Sequence, residues 1–324
     1  MPLFDLPLSQ LESYKLPDYE PADFDDFWKV TMAEAARFPL EGQYEKVDSD
    51  IYRLLDVYDV TYRGFGGHPI KAWFIEPAGN TDKLPCVVTY IGYTGGRGIP
   101  AEHLLWPCQG YASLVMDTRG QGASIWTGPG GTPDPVGSGP FQPGYMTRGI
   151  DSRESYFYRR VFIDALRAVE LAATHKHVDP SRLAVSGGSQ GGGISIAAAA
   201  LAGKKVKLAM PDVPFLCGYR RACDIIDTWP YNEIAQYLKA HRNKVEDVFK
   251  VLAYFDGVNF APRITARCMF SVGMMDTTCP PSTIFAAYNR IAGEKEMRTY
   301  DFNGHEGGGA FQTAAKMRFA AKYL

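Results

Sequence analysis

The stretch "RLAVSGGSQGGGISIAAAA", residues 182–200, decides the fold. An apolar run breaks at a serine set among glycines and resumes as an alanine-rich segment, the pattern of a strand, a tight turn and a helix. Three readings compete: a phosphate cradle, a structural turn, or the bend that presents a nucleophile. Gly187-Gly188-Ser189-Gln190-Gly191 fits G-x-S-x-G, in which a sharp turn holds the serine in a strained backbone and leaves no room for neighbouring side chains. In that turn the Ser189 hydroxyl projects above the C-terminal edge of a sheet, and the backbone N–H of Gln190 is left to serve an oxyanion.

The strongest competitor is dinucleotide binding, where an acid follows the glycine turn by about 20 residues. Asp212 stands in the right place for that acid. No register of the glycines, however, gives G-x-G-x-x-G or its alanine variant, because Gly191 and Gly193 are followed at the third position by Ile196. A P-loop also fails, since no Gly-Lys-Ser/Thr follows.

The rest of the chain supplies the context. Its 324 residues are 46% hydrophobic and 22% charged with a net charge of −2, an ordinary globular composition with no electrostatic call for nucleic acid or an anionic membrane. The acidic, proline-punctuated start "MPLFDLPLSQLESYKLPDYEPADFDDFW" lacks the basic and apolar regions of a signal peptide, and no apolar run of about 18 residues is present. A cytoplasmic location is the expectation. Six cysteines (Cys86, Cys108, Cys217, Cys223, Cys268, Cys279) show no C-x-x-C spacing and are expected as thiols.

Residues 22–38 carry Phe24, Phe27, Trp28, Met32 and Ala35 at helical spacing. Two segments around the glycines at 64–67, "YRLLDVYDVTYRG" and "HPIKAWFIEPAG", predict an antiparallel strand pair. From Leu84 the pattern alternates: "LPCVVTYIGY", a helical "AEHLLWPCQGY", then "ASLVMDTRGQG", the mark of a mostly parallel sheet covered by helices. Further strands are expected at 183–186, 206–210, 267–272 and 297–302, with a helix at 156–175 and "VDPSR" as a turn between helix and strand. Residues 119–150 are too rich in glycine and proline for regular structure, and loops that long are usually functional. Residues 214–260 predict helices inserted between late strands as a cap. The whole, 1–324, is expected as one α/β-hydrolase domain.

In that fold the catalytic order along the chain is serine, acid, histidine. Of the histidines after Ser189, His241 lies on a charged helical face, whereas His305 in "YDFNGHEGGGAF" follows the last strand in a glycine-rich loop. His305 is the expected base. Asp276 in "MFSVGMMDTTCPPS" ends the penultimate strand and is preferred as the acid, with Asp212 as the alternative one strand earlier. The second oxyanion donor is expected from the loop after "CVVTYIGYTGG", at the N–H of Tyr93. Candidate pocket walls are Pro214, Phe215, Pro230, Thr278 and Cys279, with Trp106 or Trp126 able to stack on a sugar or to pack in a core.

"RGQG" (119–122), "GGSQGG" (187–192) and "HEGG" (305–308), with "DVPFLC", "YFDGVNFA" and "CPPST", resemble the signature set of carbohydrate esterase family seven, the acetyl xylan esterases that also deacetylate cephalosporin C. The resemblance spans nearly the whole chain. It implies an acetyl-removing serine esterase with a triad at Ser189, Asp276 and His305, and oxyanion donors at Tyr93 and Gln190. It further implies no metal or organic cofactor, small acetylated sugar or antibiotic esters as substrates, and a hexameric ring. Arg119 and Gln121 match its motif and are expected to shape the site rather than to react. Two rivals stand beside it: a peptidase of the prolyl oligopeptidase kind, for which the roughly 83 residues before the central sheet are too few to build a propeller of about 40 to 45 residues per blade, and an inactive hydrolase-like scaffold.

Overall fold

The computed structural model describes residues 3–123, 128–136 and 144–324. Nine strands, β1 (Gln43–Lys46), β2 (Leu55–Arg63), β3 (Pro69–Pro77), β4 (Leu84–Tyr90), β5 (Ala112–Met116), β6 (Val178–Gly188), β7 (Leu208–Asp212), β8 (Arg267–Gly273) and β9 (Lys295–Tyr300), form one sheet. Its order is β1-β2-β3-β5-β4-β6-β7-β8-β9. The first three strands are antiparallel to their neighbours, and from β5 to β9 all pairings are parallel. The expected hairpin at 64–67 is the β2–β3 turn, closed by Gly64 N–H on His68 O at 2.9 Å.

Among the described residues ten α-helices accompany the sheet: α1 (Leu8–Leu11), α2 (Phe24–Ala36), α3 (Phe157–Thr174), α4 (Gln190–Ala202), α5 (Tyr219–Ile225), α6 (Asn232–Ala240), α7 (Val245–Ala253), α8 (Gly257–Phe260), α9 (Pro281–Arg290) and α10 (Gly309–Tyr323). Central strands carry unbroken apolar runs because both faces are covered. Val88, Val185 and Phe270 enter a core with α2, α3, α4 and α9. Their alternating neighbours Val87, Ala184 and Met269 enter a second one with Ala315, Phe319 and Ala320 of α10. Helix α4 is buried almost all round, so its alanines and glycines, by being small, let it sit tightly on the sheet.

Three details depart from the sequence expectations. "AEHLLWPCQGY" forms no α-helix but falls in two short 3₁₀ turns, Pro100–His103 and Pro107–Gln109, because Pro107 lacks the N–H that a helix continuing from the first turn needs. "VDPSR" belongs to β6, whose pairing with β4 shifts register between Leu84 and Cys86, so the extra residues form a bulge rather than a free turn. The segment 119–150 has no helix or strand among its described residues, yet it is tightly held. The buried Asp117 carboxylate accepts the N–H groups of Arg97, Gly131 and Thr132 at 2.8, 2.6 and 2.8 Å. A Cβ on Gly122 would stand 2.1 Å from the Gly130 nitrogen, which explains the glycine there.

The N-terminal segment reaches the far side of the fold. Asp5 accepts the Ser282 N–H at 2.7 Å and an Arg221 N–H at 3.1 Å, and Asn289 Nδ2 donates to Leu11 O at 2.9 Å. Between β7 and β8 the inserted helices α5 to α8 fill 214–260 as expected, and the buried Asp256 carboxylate caps α8 at Val258 N while accepting from Gly218 and Tyr219 N–H.

Candidate active site

Ser189 occupies the turn between β6 and α4 at φ 55° and ψ −120°, a backbone conformation that costs an L residue on the order of 1–3 kcal/mol and persists only where surroundings hold it. The holding bonds are present. Ser189 N–H donates to Asp212 O at 3.0 Å, and Ser189 O accepts from Gly193 N–H at 3.1 Å and Phe215 N–H at 2.9 Å. The glycines answer to space: a Cβ at Gly187 would meet Gly191 backbone at 2.5 Å, and one at Gly191 would meet Tyr90 O at 2.2 Å.

His305 and Asp276 meet beside this turn. His305 Nδ1 lies 2.8 Å from Asp276 Oδ2, with the carboxylate fully buried and the imidazole side chain 36% exposed. The other carboxylate oxygen accepts the N–H groups of Thr278 and Cys279 at 2.8 and 2.9 Å. Asp276 is therefore fixed on both sides, and Nδ1 of His305 is the protonated nitrogen that donates to it, which leaves Nε2 with its lone pair. Among the described residues Ser189 Oγ makes no hydrogen bond to His305, although both line one cavity of about 590 Å³; such contacts often tighten only with substrate bound.

The alternative acid points elsewhere. Asp212 pairs with Lys316 of α10 and accepts from Gln312 Nε2 at 2.8 Å. His241 is exposed and stacks on Tyr237 with ring centroids 4.3 Å apart, remote from the serine turn in sequence and packing.

Tyr93 and Thr94 line the cavity, and Gln121 ties their loop to Gln190, the residue after Ser189. Gln121 Oε1 accepts the Thr94 N–H at 2.9 Å, its Nε2 donates to Gln190 Oε1 at 2.9 Å, and Gln190 Nε2 donates to Ile91 O at 3.1 Å. Tyr158 Oη adds a bond to Gln190 Oε1 at 2.8 Å. The loop after β4 and the first turn of α4 are thereby locked together. Arg119 turns away from the cavity: fully buried, it forks onto Asp164 at 2.5 and 2.8 Å and reaches Asp134 at 3.5 Å. Both motif residues sit as supports, one for the site and one for the loop behind it.

The cavity wall differs from the expected one. Pro230 and Thr278 line it, while Pro214, Phe215 and Cys279 lie behind. Phe215 is buried under Tyr93 and Tyr231, with ring centroids at 6.2 and 4.2 Å, and the Cys279 thiol is pushed far up by burial, partly offset by the adjacent Ser189 hydroxyl. Trp106 is a correction: it is not on the cavity wall but packs in the second core against Tyr111, between the two short 3₁₀ turns. Trp126 falls outside the described residues.

Sequence reasoning missed Trp229, Glu233, Gly92 and Thr94 on the wall. Trp229 is 58% exposed and sits next to the expected Pro230 in "DTWPY", a signal that was present. Glu233 is buried, accepts from Tyr93 Oη at 2.6 Å and from Gly144 and Met146 N–H at 3.2 and 3.1 Å, and its carboxyl is held above the usual range by burial. A lone acid on an amphipathic helix gives no such hint.

A serine turn crowning a parallel sheet, with later strand ends delivering an acid and a histidine, defines an α/β-hydrolase. Within that class the chain belongs to the acetyl xylan esterase (AXE1) family, whose model matches residues 1–323. The structure is similar to the acetyl xylan esterase from Paenibacillus sp. R4, at TM-score 0.92 and 42% identity over 98% of this chain and 100% of that one. It is also similar to acetyl xylan esterase 1 from Thermoanaerobacterium sp. JW/SL YS485, at TM-score 0.90 and 31% identity over 99% and 100%. Among curated proteins, acetyl esterase Axe7A of Xylanibacter ruminicola is 28% identical over 88% of this chain, which spans 63% of that relative's length. The dipeptidyl peptidase 4 of Porphyromonas gingivalis shares the fold alone, at TM-score 0.61 and 16% identity over 84% of this chain and 36% of that one. Among the described residues no helix is long and apolar enough to cross a membrane.

Proposed function

We propose that this chain is a serine carboxylesterase that removes acetyl groups from acetylated xylan fragments, through Ser189, His305 and Asp276. The observation that carries the reading is the 2.8 Å contact of His305 Nδ1 with a buried Asp276 that the neighbouring N–H groups already fix. Family membership and the two acetyl xylan esterase structures of similar fold support the acetyl ester as substrate.

His305 Nε2 takes the Ser189 proton as Oγ attacks the acetyl carbonyl, and Asp276 holds the imidazole tautomer and balances its charged form. The tetrahedral oxyanion rests on the N–H groups of Tyr93 and Gln190, whose spacing depends on Gln121. The sugar hydroxyl leaves with the proton from His305, and water, deprotonated by the same imidazole, releases acetate from the acetyl-serine. Losing one oxyanion donor typically costs about 10² to 10³ in rate.

Cephalosporin C as a further ester and a hexameric assembly extend the same reading from the family resemblance, and a cytoplasmic location stands beside it as a separate expectation. The six free cysteines accord with a reducing compartment. Turnover of p-nitrophenyl esters from acetyl to octanoyl tests the substrate class. A maximum at acetyl supports the deacetylase reading, and a maximum at octanoyl overturns it.

A further inference from the structure

Outside the serine site, one group of side chains has the make-up of a metal centre. Glu76 near the end of β3 and His175 and His177, which flank Lys176 between α3 and β6, each offer a donor atom, and these atoms lie within 4.8 Å of one another. We propose that Glu76, His175 and His177 bind a divalent transition-metal ion, zinc foremost, in a site separate from the esterase centre.

The donors suit such an ion. Two imidazoles and one carboxylate with open positions for water are a recurrent zinc set, with bonds of about 2.0–2.2 Å. A tetrahedron of that size places donors about 3.3 Å apart, so the group contracts by no more than about 1.5 Å. His175 Nδ1 accepts the His177 N–H at 3.3 Å, so that nitrogen carries no proton, and the long bond is weak enough for a metal to replace. His177 Nδ1 stands 2.9 Å from both oxygens of Glu76. Binding the ion releases the Nδ1 proton to solvent, so that Nδ1 and the Glu76 carboxylate ligate together.

The frame is rigid on one side and yielding on the other. Glu76 is 2% exposed on a strand, whereas the His177 side chain is 18% exposed on a short connection, so imidazoles can close on a fixed carboxylate. The ring of Tyr44 lies 5.0 Å from that of His175, and its hydroxyl is buried with no hydrogen-bond partner among the described residues. Topology separates this site from catalysis. Ser189 follows the C-terminal end of β6, while His177 directly precedes its start, and Glu76, on a strand antiparallel to β5, ends at that same opposite edge. Metal there ties β3 to the α3–β6 connection, and anything that binds only the folded state raises its stability.

The test uses the full chain dialysed against EDTA and titrated with zinc chloride by calorimetry. One equivalent bound at micromolar affinity or tighter, weakened at least tenfold by His175→Ala or His177→Ala, with acetyl ester turnover unchanged in both variants, is the expected result. Zinc should also raise Tm in the wild type and leave it unmoved in the variants. No binding, or binding indifferent to both changes, overturns the proposal. Cobalt(II) spectra of the wild type decide the matter if the variants fail to fold. An imidazole-carboxylate site gives ligand-field bands alone, whereas sulfur-to-cobalt charge transfer would place the ion at Cys279 beside Asp276 and His305, the other such donor group among the described residues, and overturn it.

Discussion

Gln121 and Gln190 clasp each other by their amides, Gln121 Nε2 to Gln190 Oε1 at 2.9 Å and Gln190 Nε2 to Gln121 Oε1 at 3.2 Å. Neither side chain is placed to react, yet the pair sets the distance between the two backbone N–H groups assigned to the oxyanion. Gln121→Ala should therefore lower kcat by about 10 to 10² while KM moves little, the signature of an interaction made only in the transition state. Steady-state kinetics on an acetyl ester checks it, and an effect confined to KM would assign Gln121 to substrate binding instead.

Ser189→Ala should retain its fold and lose roughly 10⁴-fold or more of its turnover. Circular dichroism with a p-nitrophenyl acetate assay decides the outcome.

The two candidate acids make opposite forecasts. Asp276→Asn disturbs the tautomer of His305 and should cost about 10⁴ in kcat. Asp212→Asn loses the Lys316 pair and should lower Tm while leaving kcat within a few-fold. Reversal of that order, read from parallel kinetics and melting curves, would move the acid to β7.

Arg119→Met strips the partner from buried Asp164 and leaves Asp134 with Arg160 alone. Leaving a buried carboxylate uncompensated costs about 3–5 kcal/mol. Urea unfolding should show that loss, and a change below about 1 kcal/mol would mean that water reaches Asp164.

His175 is held down at about 4, first by burial and then by the neighbouring His177, Lys176 and Lys83 side chains. The unfolded chain takes up its proton near pH 6.5, so this group's contribution to stability is full above pH 6.5 and is lost as pH falls towards 4. Metal-free wild type should lose Tm across that window more steeply than His175→Asn, by calorimetry at stepped pH. Parallel curves would show that His175 protonates equally in both states.

The serine turn, the later acid and the final histidine were legible because each sits at a strand end, where hydrophobic pattern and glycine spacing mark the chain. The Asp276 preference over Asp212 came from the same logic: both carboxylates stand at or just past the C-terminal ends of parallel strands, and Asp276 is the one that meets His305. The pocket wall was not legible. Trp106 and Trp229 are alike as letters, and only the three-dimensional packing makes the first buried and leaves the second 58% exposed. Glu233 and the glutamine clasp depend on contacts between residues 140 and 69 positions apart, which no local pattern encodes. "AEHLLWPCQGY" misled because its apolar spacing outweighed the prolines in the reading, whereas in the fold the missing N–H groups prevail.

The anchoring of Asp5 and Leu11 bears on how the molecule is made. Asp5 is separated from its partner Ser282 by 277 positions, and Leu11 from Asn289 by 278. During synthesis the segment around Asp5 and Leu11 has no docking partner until the residues around 282–289 have been made. Closing so long a loop is slow relative to local helix formation. This segment thus acts as a late latch, fastened only after the sheet that carries the serine has been assembled.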